Sequence, residues 1–289
     1  MNLLTDFLKS FYDYTVDIIP YFLIALVITS LLQSFTKLSW LKVILKKEKV
    51  APVYTGILGG LLPLCSCSML PVANLINSMS KSYAPVLSFL IIAPVISPVT
   101  LLLTYGYFGL SMTLVRLIGT FIFAISFAYL VSFFFTKPKT LPIMMGGDGK
   151  SKNSKLFFYI LKDNLFGIGK YLFLGIFIAS LIKVFVPASF IKPIAGSIFS
   201  YPLISFMSVP IYVCSGEEVP IAKALTEVGF TWGNALTFML GGTGTCMPTI
   251  LAVMRFLPKA LVLAYVIFWI LFSMTMGFLY DIIFWRLNF

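Results

Sequence analysis

The sequence predicts an all-α polytopic membrane protein built from two inverted repeats, whose Pro-broken or re-entrant helices meet near the midplane. The first reason is composition: of 289 residues, 60% are hydrophobic and 11% are charged, and the mean hydropathy is +1.01. Soluble domains do not carry so little charge on so many apolar residues. The second reason is a cysteine motif that occurs twice, and the third is the distribution of lysines.

The apolar residues fall into eight blocks, four on each side of a polar, Gly-rich and basic stretch. The chain start lacks a basic region and a small-residue cleavage site, so the first block is predicted to stay as a span. The predicted organisation is an N-terminal membrane repeat (1–136), a flexible cytoplasmic linker (137–158) and a C-terminal membrane repeat (159–289). The eight blocks cover roughly 17–36, 51–79, 83–105, 110–135, 163–186, 194–228, 230–254 and 258–285.

The cysteine motif is a Cys-Ser pair followed by a proline. Cys65 precedes Pro71, and Cys214 precedes Pro220. The two cysteines are 149 residues apart (214 − 65), and so are the two prolines (220 − 71). Prolines beside thiols inside an apolar block predict that the helix is broken there. Further matches at this offset favour an internal repeat: Val72-Ala73 with Ile221-Ala222, Tyr83 with Trp232, Leu87 with Leu236, Phe89 with Phe238 and, after a one-residue slip, Pro98 with Pro248.

The lysines predict the orientation of the repeats. Loop 37–49 and the central linker each contain five lysines near apolar blocks, which places both loops in the cytoplasm. Three blocks lie between these loops, so one block must enter and leave by the same face. Block 51–79 is the preferred candidate, with helical arms on either side of its break. Each half then makes an odd number of crossings and the halves are inverted; the alternative is eight plain spans in parallel repeats.

Inverted repeats with broken helices are a recurring plan of transporters, in which the breaks meet and form the binding site. Here the predicted breaks are 63–71, 93–98, 210–220 and 241–248, and three of them contain all the cysteines of the chain. We expect the four breaks to face one another.

Thiols in these breaks predict a soft ligand. Cys65 and Cys67 can converge on one ligand only in an extended segment, which the prolines favour. Thiolates select soft ions and, by the same logic, thiophilic metalloids. We therefore expect Cys65, Cys67 and Cys214 to bind such a species; the alternative is that these cysteines are small packing residues. Other residues expected to line the path are Ser66, Asn74, Ser97, Ser215, Thr243, Thr245 and Cys246.

Carboxylates are the candidates for proton coupling because the chain contains no histidine. Glu217 and Glu218 lie inside an apolar block, where ionisable residues are costly and usually serve a water-filled path or proton relay. The alternative is that they reach water at the rim. Arg116 is expected at a helix end or as the partner of a buried acid. The run 241–245 is expected to be unwound, with the hydroxyls of Thr243 or Thr245 facing the path, while Asn74 could equally pack between helices.

Three strings resemble the signatures of the ArsP/YraQ-type permeases over nearly the whole chain: Pro63-Leu64-Cys65-Ser66-Cys67, Ala93-Pro94-Val95-Ile96-Ser97-Pro98 and Tyr212-Val213-Cys214-Ser215. The resemblance implies an integral inner-membrane permease. Some members export trivalent organoarsenicals, and relatives are described as copper or zinc exporters. This chain departs from the family pattern at Ser68, where Gly is common, and in its Gly-Thr-Gly-Thr-Cys-Met-Pro run.

The expected function is therefore proton-coupled export of a thiophilic metalloid or soft metal species by a multi-pass protein of the inner (plasma) membrane. The expected partners are the lipid bilayer and a small thiophilic substrate, without nucleic acid or cofactor, and a homo-oligomer is left open. The alternative is an uptake permease or channel for a small sulfur compound or anion. An enzyme of the thiol oxidoreductase type is disfavoured, because Cys65 and Cys67 are too close to close an unstrained disulfide ring.

Overall fold

A computed structural model describes residues 49–62, 69–135, 199–209, 216–227 and 229–287, together with isolated positions before 48 and between 161 and 177. These residues are helical apart from short connections, and none of them lies in a strand. In chain order, the helices of the described ranges are α1 (Ala51–Leu61), α2 (Met69–Met79), α3 (Ala84–Val95), α4 (Pro98–Phe134), α5 (Ser200–Ser208), α6 (Glu218–Glu227), α7 (Trp232–Gly244), α8 (Met247–Val253) and α9 (Lys259–Leu287).

Helices α1 and α3 pack side by side and run in the same direction. Ser88 Oγ donates a hydrogen bond to Pro52 O at 2.6 Å near the start of both helices. Further along both helices, a Cβ added to Gly59 would lie 3.3 Å from Ala93 Cβ. Since both helices start at the same end, the chain between them must return to that end. This is the course that the sequence predicted for block 51–79, and α2 is the described helix on the return.

Helices α5 and α7 repeat this arrangement in the second half. Ser200 Oγ donates to Asn234 Oδ1 at 2.9 Å near the start of both helices. Toward their far ends, a Cβ on Gly241 would overlap Ser208 Oγ. The two helices are thus also parallel, and α6 is the described helix that lies between them in sequence.

Two short breaks interrupt the helices of the core. The chain leaves α3 at Val95 and re-enters a helix at Pro98, and it leaves α7 at Gly244 and re-enters one at Met247. Ser97 and Cys246 are the N-cap residues of the helices that follow. The interruptions predicted within 93–98 and 241–248 are therefore confirmed.

The unwinding predicted over 241–245 is wrong for 241–244, because α7 continues through Gly244. The glycines serve close helix packing instead. A Cβ on Gly244 would overlap the indole of Trp269 in α9, and one on Gly241 would overlap Ser208 in α5. Only glycine lets the two neighbouring helices approach α7 this closely.

A sharp reversal divides α4 at Gly109, whose φ of 81° and ψ of −174° are not helical. Arg116 Nη1 donates to Thr104 Oγ1 at 3.0 Å. On a straight helix these residues would be about 18 Å apart along the axis, beyond the reach of an arginine side chain. The chain therefore folds back at Gly109 into arms 98–108 and 110–134. This agrees with the turn that separates the predicted blocks 83–105 and 110–135.

The arm 110–134 and α9 lie against each other and run in opposite directions. A Cβ on Gly119 would overlap the methyl end of Met276. Phe123 stacks on Phe272 with ring centroids 4.1 Å apart and an interplanar angle of 15°. Phe127 follows, with its ring 5.4 Å from that of Phe268. As the numbers rise along the arm, they fall along α9, so the helices are antiparallel.

Helix starts in the two halves recur at one spacing. Helices α1 and α5, α2 and α6, and α4 and α8 begin 149 residues apart (200 − 51, 218 − 69 and 247 − 98). The one-residue slip that would pair Pro98 with Pro248 is wrong, because the helix start equivalent to Pro98 is Met247. The regular spacing supports an internal repeat.

Three helical stretches within the described ranges are long and apolar enough to cross a membrane. They are Pro98–Phe134, Trp232–Val253 and Lys259–Ile283. The first reverses at Gly109 and the second contains the break at Cys246, so each of these two consists of a pair of shorter helices. This all-α apolar architecture confirms the predicted fold class of a membrane protein.

Candidate functional site

The centre of the core is a buried arginine that joins several helices. Arg116 Nε donates to Val95 O at 3.1 Å, at the end of α3. Its Nη1 donates to Thr104 Oγ1 at 3.0 Å and approaches Met239 Sδ of α7 at 3.6 Å. Its Nη2 donates to Glu218 Oε1 of α6 at 2.7 Å. The guanidinium thus connects the break after α3 with two helices of the second half.

Glu218 is the counter-charge of this arginine, and neither side chain has exposed surface. Its second carboxylate oxygen, Oε2, accepts the Gly216 N–H at 2.5 Å. Gly216 has φ of 107°, in the region that favours glycine, and it follows Cys214 by two residues. Glu218 also begins α6, where a negative charge interacts favourably with the helix dipole. The carboxylate therefore ties the start of α6 to Arg116.

Burying two charges removes both from water, and the attraction between them compensates only when the remaining hydrogen-bonding groups are satisfied. Here four bonds from the guanidinium and two to the carboxylate meet that requirement. Of the two placements expected for Arg116, the partner of a buried acid is confirmed. Glu217 differs from its neighbour, because its side chain is exposed whereas that of Glu218 is buried.

The second break holds the one cysteine within the described ranges. Cys246 is fully buried, and its Sγ lies 2.8 Å from Thr249 Oγ1. The preceding helix ends at Gly244, whose carbonyl accepts a hydrogen bond from the Tyr265 hydroxyl. The thiol therefore faces a hydroxyl at the first turn of α8, close to the carbonyl end of α7.

The two breaks share one plan at the offset of 149. Ser97 corresponds to Cys246, and Ser97 Oγ lies 3.1 Å from Thr100 Oγ1 just as Cys246 lies beside Thr249. Arg116 corresponds to Tyr265, and each donates to the last carbonyl of the helix before the break. The two breaks differ in one respect, because Arg116 also forms an ion pair with Glu218 of the other half.

The structure places the other predicted path residues as follows. The hydroxyls of Thr243 and Thr245 are buried and donate to the carbonyls of Met239 and Gly241 within α7. Asn74 is half-buried on α2. Ser97 is buried at the first break. The predicted residues Cys65, Ser66, Cys67, Cys214 and Ser215 lie outside the described residues, as does the linker 137–158.

Among the described residues, no group of three or more His, Cys, Asp or Glu side chains could hold a metal ion. The predicted soft-ligand set of Cys65, Cys67 and Cys214 remains a prediction, since these residues are outside the described ranges.

Sequence reasoning missed the arrangement around Arg116, namely its contacts with Val95, Thr104 and Met239, and the equivalent role of Tyr265. The available signal was an arginine in the middle of an apolar block, one repeat spacing of 149 before a tyrosine (265 − 116). No pattern in the sequence indicated which acid would face it.

The family described as "Predicted permease" (ArsP_1) matches residues 3–282. The chain belongs to this permease family. A Streptococcus mutans protein that bears the name of a two-component membrane permease complex subunit is 27% identical over 247 residues, which cover 81% of each chain. The UPF0718 protein YcgR of Bacillus subtilis is 24% identical over 262 residues, covering 87% of this permease and 89% of that protein. No solved structure matches this permease.

The family match confirms the resemblance to the ArsP/YraQ-type permeases and shows a transport role in a membrane. A third relative, the UPF0718 protein MJ0584 of Methanocaldococcus jannaschii, is 35% identical over 114 residues, or 39% of this chain and 31% of its own. One of these three relatives is named as a membrane permease subunit and the other two names give no activity, so the substrate has to be argued from the residues of this permease.

Proposed function

We propose that this permease exports a thiophilic metalloid, such as a trivalent methylarsenical, or a soft metal species across the plasma (inner) membrane, driven by protons. The observation that carries the proposal is the Arg116–Glu218 pair. It ties the break after Val95 to Gly216, the second residue after Cys214. Ionisable groups buried among apolar helices usually mark a transport path, and the Gly216 amide that Glu218 holds is two residues from the proposed ligand Cys214 in the sequence.

The proposed ligands of the substrate are Cys65, Cys67 and Cys214, because thiolates prefer soft cations and metalloids. Cys246 is a further candidate at the equivalent break of the second half. The remaining proposed path residues are Ser66, Asn74, Ser97, Ser215, Thr243 and Thr245. The substrate would be held transiently and released to the opposite face when the two halves move.

The proposed architecture for this movement is a pair of inverted repeats. Its main support is that the arm 110–134 and α9, which begin 149 residues apart (259 − 110), are antiparallel. Equivalent helices that run in opposite directions across a membrane are what inverted repeats require. In this arrangement Phe123 stacks on its own equivalent, Phe272, so the pseudo-twofold axis passes between these two rings.

Contacts at the helix ends agree with this arrangement. At one end, Trp232 meets Phe108 edge-on at 5.8 Å, and Lys223 Nζ lies over the Phe108 ring at 5.8 Å. At the other end, Asn77 Nδ2 donates to Phe256 O at 3.0 Å, and the Tyr129 hydroxyl donates to Lys49 O. The second group adjoins loop 37–49, for which lysines predict a cytoplasmic position. The first group would then face the opposite side.

For proton coupling we propose Glu217 or Glu218. Glu217 is exposed on the surface of the described helices and is not tied to Arg116 by an ion pair. Protonation of Glu218 would leave the guanidinium of Arg116 buried without its counter-charge, which is strongly unfavourable. Glu217 is therefore the first choice, and Glu218 could take part only if Arg116 gained another anionic partner.

A second candidate function is uptake, or channel-like passage, of a small sulfur compound or anion. The observation that favours it is the environment of the Glu218 carboxylate, which is held by the Arg116 guanidinium and the Gly216 N–H. The same two groups would bind a small oxyanion if the carboxylate moved away. The two functions differ in the chemistry of recognition, which is thiol ligation for the soft species and N–H donors for the anion.

The test is survival and accumulation in a metalloid-sensitive bacterial host that expresses the full chain. The panel comprises methylarsenite, arsenite, copper and zinc, and the test variant replaces Cys65, Cys67 and Cys214 by Ser. A Cys246→Ser variant tests the further candidate thiol separately, and hosts with the wild-type chain and with the empty vector are the controls. Export predicts resistance and lower accumulation of one species, lost in the triple variant. If no species gives cysteine-dependent resistance while the protein is in the membrane, the export proposal is wrong.

The name of the Streptococcus mutans relative also bears on partners. We propose that this permease works either as a homo-oligomer or with a second membrane component. Purification in a mild detergent, followed by mass measurement of the intact complex, distinguishes the two assemblies from a monomer.

A further inference from the structure

We infer that Arg116 is a positioning residue of the transport path, which acts through Glu218 and the Val95 carbonyl rather than by contact with substrate. This inference rests on the proposed transport function. It concerns how the two halves are held together at the breaks, and it is tested below by a measurement that needs no substrate.

The guanidinium of Arg116 already donates its hydrogen bonds to groups of the protein. A guanidinium has five N–H donors. Arg116 donates four hydrogen bonds, and their acceptors are Val95 O, Thr104 Oγ1, Met239 Sδ and Glu218 Oε1. The side chain has no exposed surface. A substrate could therefore reach Arg116 only after several of these bonds had broken.

The bonds of Arg116 join parts of the chain that carry the breaks. Val95 is the last residue of α3, directly before the first break. Glu218 is the first residue of α6, and it holds the Gly216 amide through its other carboxylate oxygen. Arg116 thus fixes the distance between the first break of one half and the residues directly before α6 in the other half.

The equivalent position in the second half lacks this connection. Tyr265 donates to the Gly244 carbonyl, as Arg116 does to Val95, but it carries no charge. The equivalent of Glu218 is Met69 (218 − 149), which has no carboxylate. The ion pair is therefore a one-sided addition to a plan that both halves share, and a packing role common to both halves does not explain it.

Lysine can replace the charge of Arg116 but not its geometry. A single ammonium could face Glu218, yet it could not also donate to Val95, Thr104 and Met239 from a planar fork. A role as simple counter-charge predicts that Arg116→Lys is tolerated. A positioning role predicts that it is not, because Glu218 and Gly216 would lose their fixed placement.

The experiment compares wild type with Arg116→Lys in the full chain reconstituted in nanodiscs. The first readout is hydrogen exchange of the Gly216 amide, resolved by fragmentation mass spectrometry. We expect exchange about tenfold faster in the variant, although the acceptor Glu218 is still present, because local opening becomes easier. Arg255→Lys, at an exposed arginine, is the matched control and should leave the amide unchanged.

The second readout is uptake of methylarsenite into everted vesicles. We expect the maximal rate to fall about tenfold with an unchanged KM, since a positioning residue does not contact the substrate. If wild type does not transport methylarsenite, the proposed substrate fails and the amide exchange alone decides the role of Arg116.

A second variant keeps the test decisive if Arg116→Lys does not fold. Thr104→Val removes one acceptor of the guanidinium and leaves both charges in place. Faster Gly216 exchange in this variant would support positioning. Wild-type exchange and wild-type transport in either folded variant would overturn the inference, because the charge alone would then be sufficient.

Discussion

Arg116 and Glu218 form an ion pair of 2.7 Å between two side chains without exposed surface, although 102 residues separate them in sequence (218 − 116). Arg116 follows the reversal at Gly109, and Glu218 begins α6. The reversal brings Arg116 back beside Thr104 and the end of α3. At this place the side chain of Glu218, from the other half, contacts it. A fully apolar contact could fill this space, so the charges point to a role beyond packing.

The first prediction concerns the stability of this pair. Arg116→Met or Glu218→Met alone leaves one buried charge without its partner, and each should lower the free energy of unfolding by about 3–5 kcal/mol. The double variant should recover most of this loss, because an apolar pair of similar volume avoids the desolvation cost. Thermal unfolding in detergent measures all three variants. A double variant as unstable as the worse single variant would show that the charges are not coupled.

The second prediction concerns the packing of α7. Gly244→Ala should strongly destabilise the fold, because the new Cβ would overlap the Trp269 ring and overpacking typically costs about 1–3 kcal/mol. Gly106→Ala is the matched control, since a Cβ there has no heavy atom within 4 Å. That control should be neutral or stabilising by roughly 0.5–1 kcal/mol within its helix. Equal melting temperatures for the two variants would contradict the close approach of α7 and α9.

The third prediction concerns the antiparallel contact of the equivalent helices. Phe123→Cys with Phe272→Cys, in a chain whose four native cysteines are replaced by Ser, should be joined efficiently by a short bifunctional methanethiosulfonate, because the two native side chains meet with ring centroids 4.1 Å apart. The control pair combines Phe123→Cys with Leu263→Cys on the exposed side of α9. Cross-linking is read as a shift in electrophoretic mobility after cleavage of the linker 137–158. Equal cross-linking of both pairs would argue against the observed register.

Much of this fold follows from local chemistry in the sequence. Apolar blocks give the helices, and the Ser97-Pro98 and Cys246-Met247-Pro248 strings interrupt them, because proline is favoured at a helix start and removes a donor from a helix interior. The cysteine motif also gave the correct repeat spacing, which the helix starts reproduce. These features depend on residues close together in the chain.

The features that the sequence did not predict depend on distant contacts. The glycines of 241–244 suggested unwinding, yet their purpose appears only when Ser208 and Trp269 are brought against them. Likewise, nothing near Arg116 in the chain specifies Glu218 as its partner. In a sequence, a glycine can indicate either an unwound segment or close helix packing. A charged residue in an apolar block can likewise lie at a helix end or pair with a buried partner.

The last prediction concerns the orientation of the helix ends. Tyr129 contacts Lys49 at one end of the core, and Lys223 lies over Phe108 at the other. If the halves are inverted, these ends face opposite sides of the membrane. A single cysteine at Lys81→Cys, exposed just after α2 at the same end of the core as Lys49, should therefore react with an impermeant maleimide only in everted vesicles, whereas eight plain spans would place it on the same side as the end of α6. One at Glu227→Cys, exposed at the end of α6, should react only in intact cells.

Both variants are made in the chain without native cysteines, and each is labelled again after detergent treatment to show that its thiol is reactive. The result does not depend on substrate, so it tests architecture separately from function. Labelling of both sites from the same side would rule out inversion, because the two ends of one core cannot then lie across the bilayer from each other. Eight plain spans in parallel repeats would in that case become the better description of this permease.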